Sequence, residues 1–472
     1  MLMAPAFETL PQGRGRRLMR GWAALAVASL ALAGLFAVLL VLSRMPVVSE
    51  MVPWPAAFFE KGLVAHVALS FAVWFLAVLA CFAQWAAASS PAGESTQRLG
   101  EAGLVLAVTG TVAIITPAFF DGEPTLNNYI PVIIDPVFYG GLVLFGLGIL
   151  IAVLRMLMAF ARGPNLLGPG TPLIMTAGIL FVASMAGFLL AAWRLGGFPV
   201  DHDFNERLMW GGGHMLQFVN LAMMLTAWGL LTETMAAGPL AGLRLSRWVA
   251  GLAFAGGLAG IAFFGLFDIQ TGEFLQAFTD LQYALAPPAL LFLGAAAWAG
   301  WRRRDAIDWT GVAGLSLVSS VILFAVGGAF GLFVDGADTR TPAHYHGVIG
   351  GINLAFVGLF YTRFLPLASR DAGSGKLASW QIVIYAVGQL LFVAGMFAAG
   401  GMGAARKVAG VGFDPDTAAG KLAAGIQSGG GGLAIVGGVL FIYIAARALL
   451  GGNKTSGPAQ KGDAETPSQS VG

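Results

Sequence analysis

The chain contains about twelve separate runs of roughly twenty apolar residues, each long enough to cross a hydrocarbon core about 30 Å thick as an α-helix. Because 57% of the residues are hydrophobic and only 11% are charged, little of the chain is suited to a water-exposed surface. The sequence therefore predicts an all-α fold, a polytopic membrane bundle of about twelve transmembrane helices. The expected spans lie near residues 22–44, 62–88, 100–120, 135–160, 172–195, 208–235, 247–267, 275–301, 309–334, 343–365, 379–400 and 430–450.

Arginine and lysine in the short connections predict the orientation of the bundle, because cytoplasmic loops carry an excess of these residues. The basic side chains precede the first span and follow every even-numbered span as far as the tenth. Both termini are therefore expected in the cytoplasm. The residues concerned are Arg14, Arg16, Arg17, Arg20, Arg98, Arg155, Arg162, Arg244, Arg247, Arg302, Arg303, Arg304, Arg370 and Lys376.

The remaining composition divides the chain into three parts. Residues 1–21 are expected to form a cytoplasmic N-terminal segment, residues 22–450 one membrane domain, and residues 451–472 a disordered cytoplasmic tail rich in Gly, Ser, Pro and Lys. Within the domain, residues 401–432 are interpreted as a long glycine-rich loop. The single cysteine, Cys81, excludes an internal disulfide, a Cys-x-x-Cys-His site for covalent haem and a cysteine-pair copper site.

Four of the five histidines fall in the predicted spans. An imidazole inside a bilayer requires a partner or a ligand, so such a residue is a functional candidate. His66 lies in the second span, His214 in the sixth, and His344 and His346 in the tenth, and all three spans begin on the outer side. The shared depth favours one common site near that face.

His344 and His346 are two residues apart, which on an α-helix is a rotation of about 200°. Their imidazoles therefore point to nearly opposite sides, with Tyr345 between them, and each can bind a different metal centre. Neutral imidazole is the usual axial ligand of haem iron. In the alternative interpretation the two side chains are hydrated or bonded to carbonyl groups. The glycines that follow are expected to leave space for a flat macrocycle: Gly347, Gly350 and Gly351.

Three segments resemble one known family, the haem-copper oxidase superfamily, specifically its twelve-helix catalytic subunit I, which includes terminal oxidases and nitric oxide reductases. Thr341–Gly347 (TPAHYHG) resembles the helix that carries the proximal ligands of both haems. Gly62–Ser70 (GLVAHVALS), followed by Val73–Leu76 (VWFL), is similar to the low-spin haem helix. Trp210–Phe218 (WGGGHMLQF) is similar to the sixth helix.

The resemblance implies two haems, expected to be b-type. His66 and His346 would be the axial ligands of a low-spin haem, and His344 the proximal ligand of a high-spin haem with an open side. Arginine forms strong pairs with carboxylates, although any arginine at a membrane boundary has the same appearance. The residues at positions where the family binds haem propionates are Arg207, Asp338 and Arg340.

The seventh span departs from the family pattern. Phe263 and Phe264 occupy the place of an adjacent histidine pair that holds a second metal, and no histidine lies between His214 and His344. One imidazole is too few for a tight copper site, so no conventional active-site copper is expected. His214 remains open to three interpretations: a metal ligand, a structural histidine, or a distal-pocket residue acting with Gln217, one turn away.

Two further sets of polar residues lie toward the outer side. Asp280 and Tyr283 on the eighth span are candidates for proton transfer from outside, since an ionisable residue inside a bilayer is rarely incidental. In the alternative, Asp280 is a structural hydrogen-bond acceptor. His202 is expected to lie in a solvated outer loop.

Two functions from different classes follow. The first is an oxidoreductase that passes electrons from a quinol or a c-type cytochrome through the low-spin haem to a high-spin haem that binds or reduces O2 or NO. The second is a non-catalytic dihaem subunit for electron transfer or gas and haem sensing in a respiratory complex. A transporter fits less well, because transporters place charged groups at the bilayer midplane. The expected partners are the lipid bilayer, an electron donor and other subunits, not nucleic acid, in a bacterial inner membrane with the haem sites toward the outer face.

Overall fold

The structure of the chain, a computed structural model, describes most of the predicted membrane domain. Residues 452–472, and with them nearly all of the predicted tail, lie outside the described residues. The described residues are 10, 13–43, 46–90, 95–127, 130–163, 167–236, 238–334, 336, 338–373, 375–406 and 417–451.

Twelve helices in the described residues are long and apolar enough to cross a membrane, which confirms the predicted polytopic all-α bundle. Most begin a few residues before the predicted boundary, and the first helix already begins at Arg14. The spans, numbered one to twelve, are Arg14–Leu40, Phe58–Ala88, Gln97–Phe119, Pro136–Arg162, Gly168–Arg194, His202–Met235, Leu243–Leu266, Gly272–Arg302, Val312–Phe333, Arg340–Leu367, Gly375–Gly401 and Ala418–Leu450.

Several spans are interrupted by tighter or wider turns of helix. The second span is α-helical over Phe58–Val67 and Trp74–Ala88, with a π-helical segment, Ala68–Val73, between them. The tenth span has a second π-helical segment. The remaining interrupted spans end, begin or break in 3₁₀ turns. The tenth span is α-helical over Arg340–Leu359 and Leu365–Leu367, with the π-helical segment Phe360–Phe364 between them. The eighth span is α-helical over Gly272–Leu281 and Ala286–Arg302, with the 3₁₀ turn Gln282–Leu285 between them. The 3₁₀ turns at span ends are Thr116–Phe119, Gly168–Gly170 and Gly331–Phe333.

Little regular structure lies outside the spans. A short antiparallel hairpin pairs β1 (Glu123–Thr125) with β2 (Val132–Ile134) between the third and fourth spans, with Glu123 opposite Ile134. The other elements are the helix Pro46–Met51 and the 3₁₀ turn Arg304–Ala306.

The spans that carry histidines form the centre of the bundle. The most apolar windows of the second, sixth and tenth spans are 67%, 89% and 72% buried, more than any other span. The tenth span packs against the sixth, ninth and eleventh, and the first span packs against the second and twelfth. Since these three spans run in the same direction, all four span histidines come to the same end of the bundle, which we call the histidine end.

The predicted glycine-rich loop over residues 401–432 is wrong in its second half. A helix begins at Ala418 and continues without interruption to Leu450. A Cβ at Gly430 would meet the backbone of Phe392, and one at Gly437 would lie 2.7 Å from the Cα of Tyr385. The glycines are therefore surfaces for close packing of the twelfth span on the eleventh, as small residues often are between membrane helices.

Candidate functional site

His66 and His346 approach each other from the second and tenth spans. Both are half-buried, and they lie close enough that their charges would repel each other if both were protonated. His66 Nδ1 lies 2.8 Å from the carbonyl oxygen of Ala33 on the first span. The His346 ring contacts Tyr345 and Phe392, with ring centroids 5.0 and 5.3 Å apart. Two neighbouring imidazoles contributed by different spans suit the two axial positions of one metal.

His344 faces a different neighbour. Its Nδ1 lies 2.8 Å from the carbonyl oxygen of Gly327 on the ninth span, whereas His346 contacts the eleventh span. A Cβ added at Gly331 would lie 2.7 Å from His344 Nδ1, so the ring occupies the groove between the ninth and tenth spans. The two imidazoles therefore diverge as the helical rotation predicts, and they serve two separate positions.

The carbonyl contacts decide which ring nitrogen is available for a metal. A carbonyl oxygen only accepts, so His66 and His344 must each donate from Nδ1, which leaves the lone pair of a neutral ring on Nε2. Neither Nε2 has a hydrogen-bond partner within the part of the chain that the structure describes. Metal-binding histidines usually donate their other ring N–H to a carbonyl or carboxylate in this way. The ring nitrogens thus fit two haem irons. A purely structural histidine would make the same Nδ1 bonds to carbonyl oxygens, so these bonds are compatible with both interpretations.

His214 is buried among aromatic rings on the sixth span. Its Nδ1 lies 2.7 Å from the carbonyl oxygen of Trp210, and its ring centroid lies 4.8 Å from that of Trp210 and 5.9 Å from that of Phe278. Gln217, one turn further from the histidine end, is half-buried. The rings that contact His214 therefore belong to aromatic side chains, Trp210 and Phe278.

Phe263 and Phe264 reach the same place from the seventh span. Their rings contact Phe278 at 5.2 and 5.7 Å, and Phe274 packs behind them at 5.1 Å from Phe278. These four phenylalanines, with Trp210, form what we call the aromatic cluster. Among the described residues no group of three or more His, Cys, Asp and Glu could hold a metal ion. The residues beside His214 do not fit a conventional second metal.

The glycines after His346 do not leave space for a macrocycle, contrary to the prediction. They bring the tenth span against its neighbours: a Cβ at Gly347 would lie 2.5 Å from Gly327 Cα, and one at Gly351 would lie 2.8 Å from the backbone nitrogen of Phe324. Gly350 faces Leu323 and Gln389. The open side of His346 must lie elsewhere, toward the second and eleventh spans.

Two arginine–aspartate pairs lie at the histidine end. Arg207 donates from Nε to Asp203 at 2.8 Å and from Nη1 to the carbonyl oxygen of Ile269 at 2.6 Å. Arg340 donates to Asp338 from Nη2 at 2.6 Å and from Nε at 2.8 Å. Arg340 lies one turn before His344, and Arg207 two turns before His214, on the same helix faces. Both guanidinium groups therefore lie on the outward side of a histidine.

The Asp338–Arg340 pair predicts a pH dependence of stability. Partial burial alone raises the pKa of Asp338, but the hydrogen bonds and the charge of Arg340 outweigh it and hold the pKa of this carboxyl below its ordinary value. Its stabilising contribution is present above the unfolded pKa near 3.9 and is lost as pH falls through the folded pKa. We expect Asp338→Asn to lower the unfolding free energy by about 1 kcal/mol at pH 6, and by progressively less as the pH falls through the folded pKa.

Thermal unfolding of the purified protein between pH 3 and pH 7 measures this difference. Asp203→Asn is the matched control, because the Asp203 side chain is 64% exposed whereas that of Asp338 is 12% exposed. Exposed ion pairs contribute little. Equal, pH-independent effects of the two substitutions would contradict the prediction.

Three other predicted residues lie away from the histidines. Asp280 is exposed at the end of the first helix of the eighth span and accepts a hydrogen bond from Gln276 at 2.8 Å. Tyr283 is 66% exposed in the 3₁₀ turn that follows. The structure therefore places neither side chain in the bundle interior. His202 is exposed as expected, but it is the first residue of the sixth span rather than part of a loop.

Two cations are buried, contrary to the sequence interpretation, which did not consider Lys61 and assigned Arg155 to a cytoplasmic connection. Lys61 is 2% exposed and donates to the carbonyl oxygen of Phe120. Arg155 is 1% exposed and donates to Thr96 and Gln84. A charged residue within an apolar run is the signal that identifies such positions. Both connect neighbouring helices through hydrogen bonds and do not contact the histidines.

The fold and these side chains define a class of protein: a multi-pass helical membrane protein whose most buried spans carry imidazoles at one end. The sequence model of the family described as cytochrome c and quinol oxidase polypeptide I matches residues 17–424. The chain belongs to this family, within the haem-copper oxidase superfamily, which confirms the resemblance drawn from its histidine segments.

Two relatives share the length of the chain without a described activity. An uncharacterized protein of Rickettsia prowazekii (strain Madrid E) is 25% identical, over 92% of this chain and 96% of the relative. An uncharacterized protein of Aquifex aeolicus (strain VF5) is 27% identical, over 72% of this chain and 83% of the relative.

Proposed function

We propose that the protein is a dihaem member of its family, in which a low-spin haem passes electrons to a high-spin haem that binds or reduces O2 or NO. The observation that carries the proposal is the divergence of His344 and His346 on one buried helix, with His66 facing His346. Haem is the usual cofactor of the family, and the available Nε2 atoms supply its axial ligands.

In this proposal each histidine has a defined role. His66 and His346 fill both axial positions of one iron, so that iron has no site for a gas. His344 is the single protein ligand of the other iron, whose opposite side is open. His214 and Gln217 then belong to the distal pocket, where His214 is held by the carbonyl group of Trp210.

The charged groups at the histidine end complete the site. Arg207 and Arg340, each paired with an aspartate, lie one or two turns outward of the histidines and are suited to carboxylates such as haem propionates. Electrons are supplied by a quinol or a c-type cytochrome subunit, and the bundle lies in a bacterial inner membrane with its histidine end outward. Asp280 and Tyr283 remain our candidates for proton entry, from the outer surface of the bundle.

The aromatic cluster favours a second candidate function. Because phenylalanine rings fill the position beside His214, the high-spin iron would lack a partner metal for a multi-electron reduction. A subunit that conducts electrons or senses a gas needs only the two haems. Both candidate functions use two haems, but only the first includes catalytic reduction of a gas.

Haem and metal analysis of the purified protein, with reduced-minus-oxidised spectra before and after carbon monoxide, tests the proposal. We expect two haems per chain, no stoichiometric copper, and a spectral shift by carbon monoxide in one haem only. A stoichiometric second metal would contradict the role given to the aromatic cluster. If neither haem responds to carbon monoxide, the gas-binding site is refuted and the electron-transfer alternative stands.

A further inference from the structure

A network of buried hydrogen bonds connects three spans on the inner side of His346. Trp74 on the second span donates from Nε1 to Asn353 Oδ1 on the tenth span at 2.9 Å. Asn353 donates from Nδ2 to the hydroxyl of Tyr385 on the eleventh span at 3.2 Å. The same hydroxyl is hydrogen-bonded to the side-chain amide of Gln389, one turn further toward the histidine end. The network therefore runs toward the low-spin site and ends at Gln389.

Gln389 lies about one helical turn from His346. A Cβ at Gly350, one turn inward of His346 on the tenth span, would lie 3.6 Å from the side chain of Gln389. Phe392, the next turn of the eleventh span, contacts the His346 ring. One turn is about 5.4 Å, so Gln389 would lie beside a haem held by His346.

The Gln389 amide is not satisfied by the protein. Its Oε1 is buried and has no hydrogen-bond partner among the described residues. Leaving such a group unpaired costs about 1–3 kcal/mol. By contrast Gln381, two turns away on the same helix, accepts from Tyr361 at 3.0 Å and donates to the carbonyl oxygen of Gly437 at 3.1 Å. Both ends of the Gln381 amide are therefore hydrogen-bonded, whereas the Gln389 Oε1 has no partner among the described residues.

The donor-to-acceptor direction of these hydrogen bonds decides whether the oxygen or the nitrogen of the Gln389 amide remains without a partner. Trp74 and Asn353 both donate along it, so the Tyr385 hydroxyl accepts from Asn353 and still has its own proton to donate. The oxygen and nitrogen of an amide exchange places by rotation. With the Gln389 oxygen turned to accept that proton, its N–H group points away from the network and takes the buried, unpartnered place.

We infer that the Gln389 amide directs its N–H group at the inner edge of the haem held by His66 and His346, directly or through a water molecule, and raises the midpoint potential of that haem. This inference rests on the proposed function. The positive end of an N–H dipole stabilises the reduced, more electron-rich haem, and such hydrogen bonding is one of the means by which proteins tune haem potential. Gln389 is thus a tuning residue and not a ligand.

Redox titration of the low-spin haem in the purified, haem-loaded protein tests the inference. We expect Gln389→Leu to lower the midpoint potential by more than the scatter between wild-type titrations, with haem content unchanged. Tyr385→Phe, which removes the hydroxyl that orients the amide, is expected to shift the potential in the same direction by less. Gln381→Leu is the matched control on the same helix and is expected to leave the potential unchanged.

The outcomes separate the inference from the proposal beneath it. A wild-type potential in Gln389→Leu, or an equal shift in Gln381→Leu, overturns the role of Gln389 while leaving the dihaem proposal intact. Absence of a bis-histidine haem from the wild-type protein overturns both. If Gln389→Leu does not accumulate in the membrane, Gln389→Met, which is unbranched and lacks the amide, is titrated in its place with the same expected shift.

Discussion

His346→Ala is expected to remove the low-spin haem, about half of the total haem, and to leave the haem at His344 able to bind carbon monoxide. If His66 and His346 hold one haem as proposed, loss of either imidazole would leave that haem with a single ligand, which weakens its binding and removes its low-spin spectrum. His66→Ala is expected to give the same spectrum, because the proposal assigns both imidazoles to the same haem. Pyridine haemochrome assay and absorption spectra of the purified variants measure both effects.

His202→Ala is the matched control for these substitutions. His202 begins the sixth span with an exposed side chain, so its removal is expected to leave haem content and spectra unchanged. A low-spin spectrum that persists in His346→Ala would show that the ligand pair is assigned wrongly. Loss of both haems in His346→Ala but not in His202→Ala would show that the two positions depend on each other for assembly.

Gly327→Leu is expected to prevent the stable packing of the ninth and tenth spans. A Cβ at this position would lie 2.6 Å from the carbonyl carbon of Gly347, and real side chains do not approach a backbone so closely. Overpacking of a well-packed interior costs about 1–3 kcal/mol, and here the obstacle is backbone that cannot change rotamer. We expect a loss of at least about 3 kcal/mol in unfolding free energy, or no folded protein in the membrane.

Gly328→Leu provides the comparison within the same helix turn. A Cβ at Gly328 meets nothing within 4 Å, so the same substitution one residue away is expected to be tolerated. Membrane yield and thermal unfolding in detergent measure the contrast. If Gly327→Leu were as stable as Gly328→Leu, the close approach of these two spans would be incorrect.

The spans and the shared end of the histidines could be predicted from the sequence because both depend on length alone. A run of about twenty apolar residues fixes a crossing, and alternation of crossings brings His66, His214 and His344 to one end. The opposite directions of His344 and His346 follow from helix geometry in the same way. These inferences need no knowledge of which helices are neighbours.

The glycines were misinterpreted because their effect depends on neighbours that the sequence does not specify. Gly347 is equally suited to a flat ligand and to another helix, and only the position of Gly327 decides between them. For the same reason the glycines as far as Gly432 suggested a loop, although Gly430 is part of the contact surface of a helix. The direction of the Asp280 side chain similarly depends on how its helix is rotated, and the sequence does not show the 3₁₀ break at Gln282–Leu285 that follows this helix.

The contact between Gly327 and Gly347 bears on how fast charge can move through the protein. The His344 Nδ1 is bonded to Gly327 O, and Gly327 packs against the backbone of Gly347, the residue after His346, so the helix backbone at both histidines is held against the ninth span. Interiors packed in this way have low compressibility. If the two histidines hold haems as proposed, this backbone contact would limit changes in their separation and so keep the structural rearrangement that accompanies electron transfer small.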